Sequence, residues 1–247
     1  MDAFAKTLKV ATLVVAITLI SGIGAEIWAA NPCDGLPTAA ALKGFLAAAP
    51  TGSTVGGLFN GTRMWGAVVN RDGELCALTT GTADPADVWP GSRHIAIHKA
   101  HTANGFSLDT LALSTARLYT FAQPGHSLYG LNMSNLFDTK CLGGPGSNKG
   151  LHQICAGVIT FGGGVGLYNA NGEIIGGLGV SGDTACADHE VAKRVRTAAG
   201  LNPPGGPAVD DITYSSADGA SVFTHPLCFN TFRNGVFLGN EAPAVGY

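Results

Sequence analysis

Charge is what this chain has least of. Asp, Glu, Lys and Arg make up only 13% of its 247 residues, about half the roughly 25% usual in soluble proteins. The net charge is −3 with His neutral. No basic face exists for a phosphate backbone, which excludes a nucleic-acid binder. Near the start, the uncharged stretch from Val10 to Ala25 has sixteen residues, short of the ~20 that cross a bilayer. No C-x-x-C or C-x-x-C-H occurs, which removes zinc knuckles and covalently attached c-type haem. The H-E-x-x-H of hydrolytic zinc is missing too. Gly179-Val-Ser181-Gly-Asp183 falls short of G-x-S-x-G at its last position, so a nucleophile elbow is not supported.

What the chain does have begins with its N-terminus. Lys6 and Lys9 precede the apolar run Val10 to Ile20, and small residues follow at Gly22, Gly24 and Ala25. That layout predicts a secretory signal peptide over residues 1–30, with Ala25, Ala29 or Ala30 as cleavage residues. Export to the periplasm or the extracellular space follows, with no membrane span after cleavage. All six cysteines lie beyond the leader, and an even number in an exported chain favours disulfides. Of the fifteen possible pairings, Cys141–Cys155 would close a polar loop of thirteen residues and Cys186–Cys228 would pin the C-terminal tail. Cys33–Cys76 then follows by elimination.

Periodicity predicts helices over Pro37 to Ala49, Arg93 to Asn104 (with Ser92 as its cap), a second stretch over Ser107 to Phe121, and Ala185 to Ala199 capped by Asp183 or Thr184. Strands are expected at Trp65–Val69, Glu74–Thr80, Gln153–Phe161, Gly166–Asn169 and Glu173–Val180. The dipeptide Asn171-Gly172 supplies the two positive-φ positions of a type I′ hairpin turn. This order implies an α+β fold with one antiparallel sheet flanked by helices. The domain would run over 31–200, with residues 201–247 an irregular tail packed on it.

The segment from Gly162 to Arg194, GGGVGLYNANGEIIGGLGVSGDTACADHEVAKR, resembles the signature of the GlcG/HbpS-like proteins, small domains known as haem-binding or haem-degrading modules. Gly66-Ala-Val-Val-Asn-Arg-Asp-Gly-Glu-Leu resembles that family's first hairpin. Ser92 to Phe106 resembles its central helix, where Lys99, Ala100, Thr102 and Ala103 fit the pattern, and Ser127-Leu-Tyr-Gly-Leu resembles the segment before the glycine loop. The resemblance spans about residues 36 to 200 and implies a profilin-like layered domain, haem as cofactor and a homo-oligomer.

The glycine run Gly162-Gly-Gly-Val-Gly does not read as a phosphate loop, because a strand and Asn-Gly follow it rather than a helix. Close backbone packing, or a wall for a flat ligand, accounts for it better. His94, His98 and His101 stand at i, i+4 and i+7, on one side of the central helix. Neutral imidazole is a usual axial ligand of haem, so His98 and His101 are the candidate haem-iron ligands; a solvated polar face is the plainer alternative. Lys99, Thr102, Gly163, Gly164 and His189 complete the candidate cofactor site. Asp188 and His189 would be the acid and base if the scaffold instead carried a small-molecule hydrolase or isomerase. An oligomeric accessory or sensor-partner protein without cofactor is the third reading. The low charge and a sheet covered on one side only predict an oligomer formed through the sheet and last helix, unless the tail covers that face.

Overall fold

Two short turns organise the sheet. In the computed structural model, which describes residues 31–245, the Asn70 carbonyl accepts from Gly73 N at 3.0 Å, and Gly73 takes φ +86°. That turn joins β1 (Trp65–Asn70) to β2 (Leu75–Thr80). The second turn joins β3 (Gly164–Tyr168) to β4 (Ile174–Ser181). It differs from the expected type I′ turn: Gly172 has φ +82°, but Asn171 is not in the positive-φ region. The Asn169 side chain organises the turn instead, accepting from Asn171 N at 2.9 Å and Glu173 N at 3.0 Å. All pairings are antiparallel, in the order β2-β1-β4-β3. The expected leader, residues 1–30, lies outside the described residues.

Helices cover both sides of this sheet. α1 (Ala39–Ala48) and α3 (Ala185–Ala198) share a core with Val68, Ala77, Leu167, Leu178 and Val180. α2 (Pro90–Phe106) packs Ala96, Ile97 and Ala100 on Trp65, Ala67, Val69 and Leu75 of the other side. The period-2 alternation of β1 assigns these faces. α2 sits unusually close to β4, because a Cβ at Gly177 would overlap the Ala100 carbonyl and one at Gly179 the Ala96 carbonyl. The Ile-Ile-Gly-Gly-Leu-Gly-Val pattern is thus a groove for helix backbone.

Helix boundaries shift by a few residues. Pro90 opens α2 at its first turn, where a missing N–H costs nothing, so Ser92 is inside the helix and not its cap. Thr184 caps α3, its Oγ1 accepting from Ala187 N at 3.3 Å. Two expected elements are replaced. Residues 107–121 form 3₁₀ turns at Thr115–Leu118 and Thr120–Ala122 and not an α-helix. There Ser114, Thr115 and Thr120 hydroxyls donate to the carbonyls of Asp210, Phe161 and Thr224, and such side-chain bonds compete with helix. Residues 153–161 form no strand: Ala156 (φ +58°) and Gly157 (φ +88°) interrupt the extended backbone. This region bridges only at Ile154 with Glu74, just ahead of β2, and the Gln153 carbonyl accepts from Leu75 N at 2.9 Å.

The six cysteines are joined as Cys33–Cys76, Cys141–Cys155 and Cys186–Cys228. The tail is more ordered than its sequence suggests. It holds a hairpin, β5 (Thr231–Arg233) with β6 (Val236–Gly239), and lies along α3. Its Asp210 carboxylate grips the Arg196 guanidinium at 2.6 and 2.8 Å, both side chains fully buried. The bare sheet face on which the oligomer expectation rested is therefore absent; α2 covers one face and α1 with α3 the other. Among the described residues no helix is long and apolar enough to cross a membrane.

Candidate functional site

His94, His98 and His101 do share one side of α2, and that side is half-buried rather than openly solvated. The segment closed by Cys141–Cys155 lies over it. His94 Nε2 accepts from Gly143 N at 3.2 Å. The His98 ring sits 4.4 Å from the Phe137 ring, centroid to centroid. A Cβ at Gly157 would strike the same imidazole, so glycine is needed there for space as well as for its positive φ. The His101 ring lies against the β1–β2 turn, where a Cβ at Gly73 would meet it at 3.3 Å. Arg93, fully buried, holds the segment down by donating to the carbonyls of Cys141, Ser147 and Lys149. Of the three imidazoles, His98 is distinct: its Nε2 is buried and has no hydrogen-bond partner. Burial, with the neighbouring His94 and His101, pushes its pKa down to about 4. The ring is neutral near pH 7, and among the described residues nothing bonds its Nε2.

Lys99, Thr102, Gly163 and Gly164 have other partners. Lys99 Nζ is fully buried and donates to the Asp188 carboxylate at 2.7 Å and the Val180 carbonyl at 3.0 Å. It also lies 4.9 Å from the centre of the Phe161 ring. Thr102 Oγ1 donates to the His98 carbonyl and accepts from Ile159 N at 3.0 Å. Cβ atoms at Gly163 and Gly164 would meet Val180, Lys99 and Thr115. The glycine loop is therefore packed tight against α2 and leaves no slot for a flat ligand there. The expected site divides in two: His98 and His101 face the disulfide-closed segment, while Lys99 and the glycines face α3.

His189 belongs to neither group. It is buried beneath the tail, with Nε2 3.2 Å from Ile212 N and 3.4 Å from the Asp211 carboxylate, and Nδ1 without a hydrogen-bond partner. Burial alone would raise Asp211, but the contact with His189 and the Lys193 ammonium hold its carboxyl far below the usual range. Asp188 accepts from Gly182 N at 3.0 Å and Asp183 N at 2.9 Å besides Lys99. With Asp188 spent on these bonds and His189 covered, the acid–base pair of an enzyme reading is not exposed to a substrate. A cleft of about 600 Å³ between α3 and the tail is lined by Glu190, Lys193, Arg194 and Asp211 but by neither of them.

Two site residues escaped the sequence reading, Phe137 and Gly157. A faint signal existed, since both flank the loop that Cys141 and Cys155 close.

The histidines also set a pH response. Burial lowers His98 to about 4 and His225 to about 3, from 6.5, and lowers His94 and His101 in the same direction. A depressed imidazole pKa means stability is complete above about pH 6.5 and is lost as the pH falls through the folded-state values. Asp188, raised by burial to about 6, works the other way across its range. Four imidazoles outweigh one carboxyl, so the disulfide-intact protein should melt at a clearly lower temperature at pH 4.5 than at pH 7. His225→Gln should flatten that fall; a melting temperature independent of pH would refute the account.

Comparison with known proteins places the chain. The family of haem-degrading HbpS-like proteins matches residues 58–196. No curated protein matches. Three solved structures are similar in fold. A PduOC–haem complex is 24% identical, covering 66% of this chain and 92% of its own, with a TM-score of 0.45. The Klebsiella pneumoniae protein ORFY is 24% identical, covering 66% and 84%, at 0.43. HbpS is 20% identical, covering 66% and 89%, at 0.41. Matched over more than half its length and built on this sheet, the chain belongs to the HbpS-like haem-degrading protein family.

Proposed function

We propose that this protein binds haem, with His98 of α2 as the axial ligand. The single observation that carries the reading is the buried, unpartnered Nε2 of a neutral imidazole, the donor that haem iron takes most readily. Family membership supports the cofactor. Haem, when bound, supplies the iron and its redox chemistry; the chain supplies the ligand and the enclosure. Phe137 and the Gly157 backbone, both packed on the His98 ring, are the groups a porphyrin must displace. His101, one turn on and packed against the Gly73 turn, is the alternative ligand. Lys99 and Thr102 anchor α2 behind the ligand. Export with cleavage of residues 1–30 belongs to the same proposal, since three disulfides need an oxidising compartment.

Haemin titration tests it. The mature protein should give a Soret shift saturating near one equivalent per chain, and His98→Ala should weaken binding at least tenfold, about 1.4 kcal/mol. A spectrum that stays the sum of free haemin and protein at micromolar concentration would end the haem reading. A Soret shift unchanged in His98→Ala but lost in His189→Ala would move the ligand to His189.

A further inference from the structure

The disulfide Cys186–Cys228 has a third potential metal donor beside it. One nitrogen of His225 and the two sulphurs all lie within 4.8 Å of one another, and all three residues are buried. The geometry points to a second, redox-gated metal site: reduced, Cys186, Cys228 and His225 bind one zinc-like divalent ion per chain; oxidised, they bind none. It stands apart from the haem reading and uses none of its residues.

Four observations converge. The Cα atoms of Cys186 and Cys228 are 5.9 Å apart, so side-chain rotation alone can open the sulphurs to the roughly 3.8 Å that two tetrahedral Zn–S bonds of about 2.3 Å require. The tautomer of His225 follows from its partners. Nδ1 is 2.7 Å from the Pro226 carbonyl, which can only accept, so Nδ1 carries the proton. A carbonyl on the second nitrogen is how metal-bound histidines are usually oriented. Nε2 then holds the lone pair, engaged only by Gly162 N at a long 3.3 Å. Cys186 N, in the first turn of α3, already donates to the Cys228 sulphur at 3.1 Å, a bond that strengthens onto a thiolate. Finally, a cavity of about 260 Å³ lies beside the cluster, lined by His225 together with Ser215, Leu227 and Pro243.

The chemistry balances. A dithiol gives up two electrons and two protons to the S–S bond, becoming a cyclic disulfide and leaving two protein thiols. The divalent ion then displaces both thiol protons and forms two metal–sulphur bonds and one metal–nitrogen bond, with water in the fourth position. A small-molecule disulfide then takes two electrons from the two thiolates and leaves as two thiols, which re-forms Cys186–Cys228 and releases the ion. The tail, which Cys228 anchors to α3, thus exchanges one crosslink for another.

Cobalt(II) is the probe. Protein reduced with a phosphine, freed of it by anaerobic gel filtration and titrated with cobalt should develop a near-ultraviolet thiolate-to-metal band saturating at one equivalent; oxidised protein should develop none. The band should persist in Cys33→Ser/Cys76→Ser, which controls for the other thiols near Glu74 and His152. It should vanish in Cys186→Ser/Cys228→Ser, and His225→Ala should weaken cobalt affinity at least tenfold. A reduced chain that takes up no cobalt, folded or not, overturns the proposal. So does an undiminished band in Cys186→Ser/Cys228→Ser, or an unchanged affinity in His225→Ala.

Discussion

Lys99→Met is expected to destabilise the protein by about 3–5 kcal/mol, the cost of leaving one member of a buried ion pair alone. Lys99 is fully buried, and its only charged partner within hydrogen-bond reach is Asp188, itself 2% exposed. Burial pulls the two groups toward neutrality from both sides, lowering Lys99 and raising Asp188 to about 6. The pair is therefore a poor net source of stability, and either member alone is a liability. Asp188 cannot simply be dispensed with, because it also receives Gly182 N and Asp183 N at the turn into α3. Asp188→Asn should consequently lose less than Lys99→Met, and the double variant should regain part of the loss. Urea denaturation measures this as a fall in midpoint at unchanged slope. A loss below about 1 kcal/mol for Lys99→Met would show that water or a rearranged partner reaches Asp188.

The second large effect is steric. Gly179→Val should cost at least about 3 kcal/mol, the upper end of overpacking, or abolish soluble expression. Its Cβ would overlap the Ala96 carbonyl and crowd Ala100 N at 2.5 Å, and both are backbone atoms of a 17-residue helix that cannot step aside singly. Gly44→Ala is the internal control: nothing lies within 4 Å of a Cβ there. Being inside α1, it should be neutral or stabilise by up to about 1 kcal/mol. Thermal melts of the two variants decide it. Equal stabilities would mean that α2 floats on β4 rather than resting on it.

The His98 ligand face shows how far local sequence reaches. The i, i+4, i+7 spacing put three imidazoles on one side of α2 correctly, because helix periodicity is a property of the backbone alone. Spacing could not say what faces that side. Phe137 lies 39 positions from His98, and Gly157 lies 59; no local pattern links them. The same holds for Lys99, whose neighbour in sequence is a candidate ligand but whose partner in space is Asp188.

By itself the sequence determined the α+β class, both sheet hairpins, the central helix and its histidine side, since each rests on contacts between residues near in the chain, but it also placed a helix over 107–121 and a strand over 153–161 that the fold does not form. Its glycines announced close packing without naming the helix backbone that fills them. Tertiary structure alone decided the rest: that both faces of the sheet are covered, that hydroxyls of residues 114–120 bond distant carbonyls in place of a helix, and that the tail closes over His189. These depend on which buried polar groups find partners across the fold, a question that desolvation settles only once the chain has collapsed.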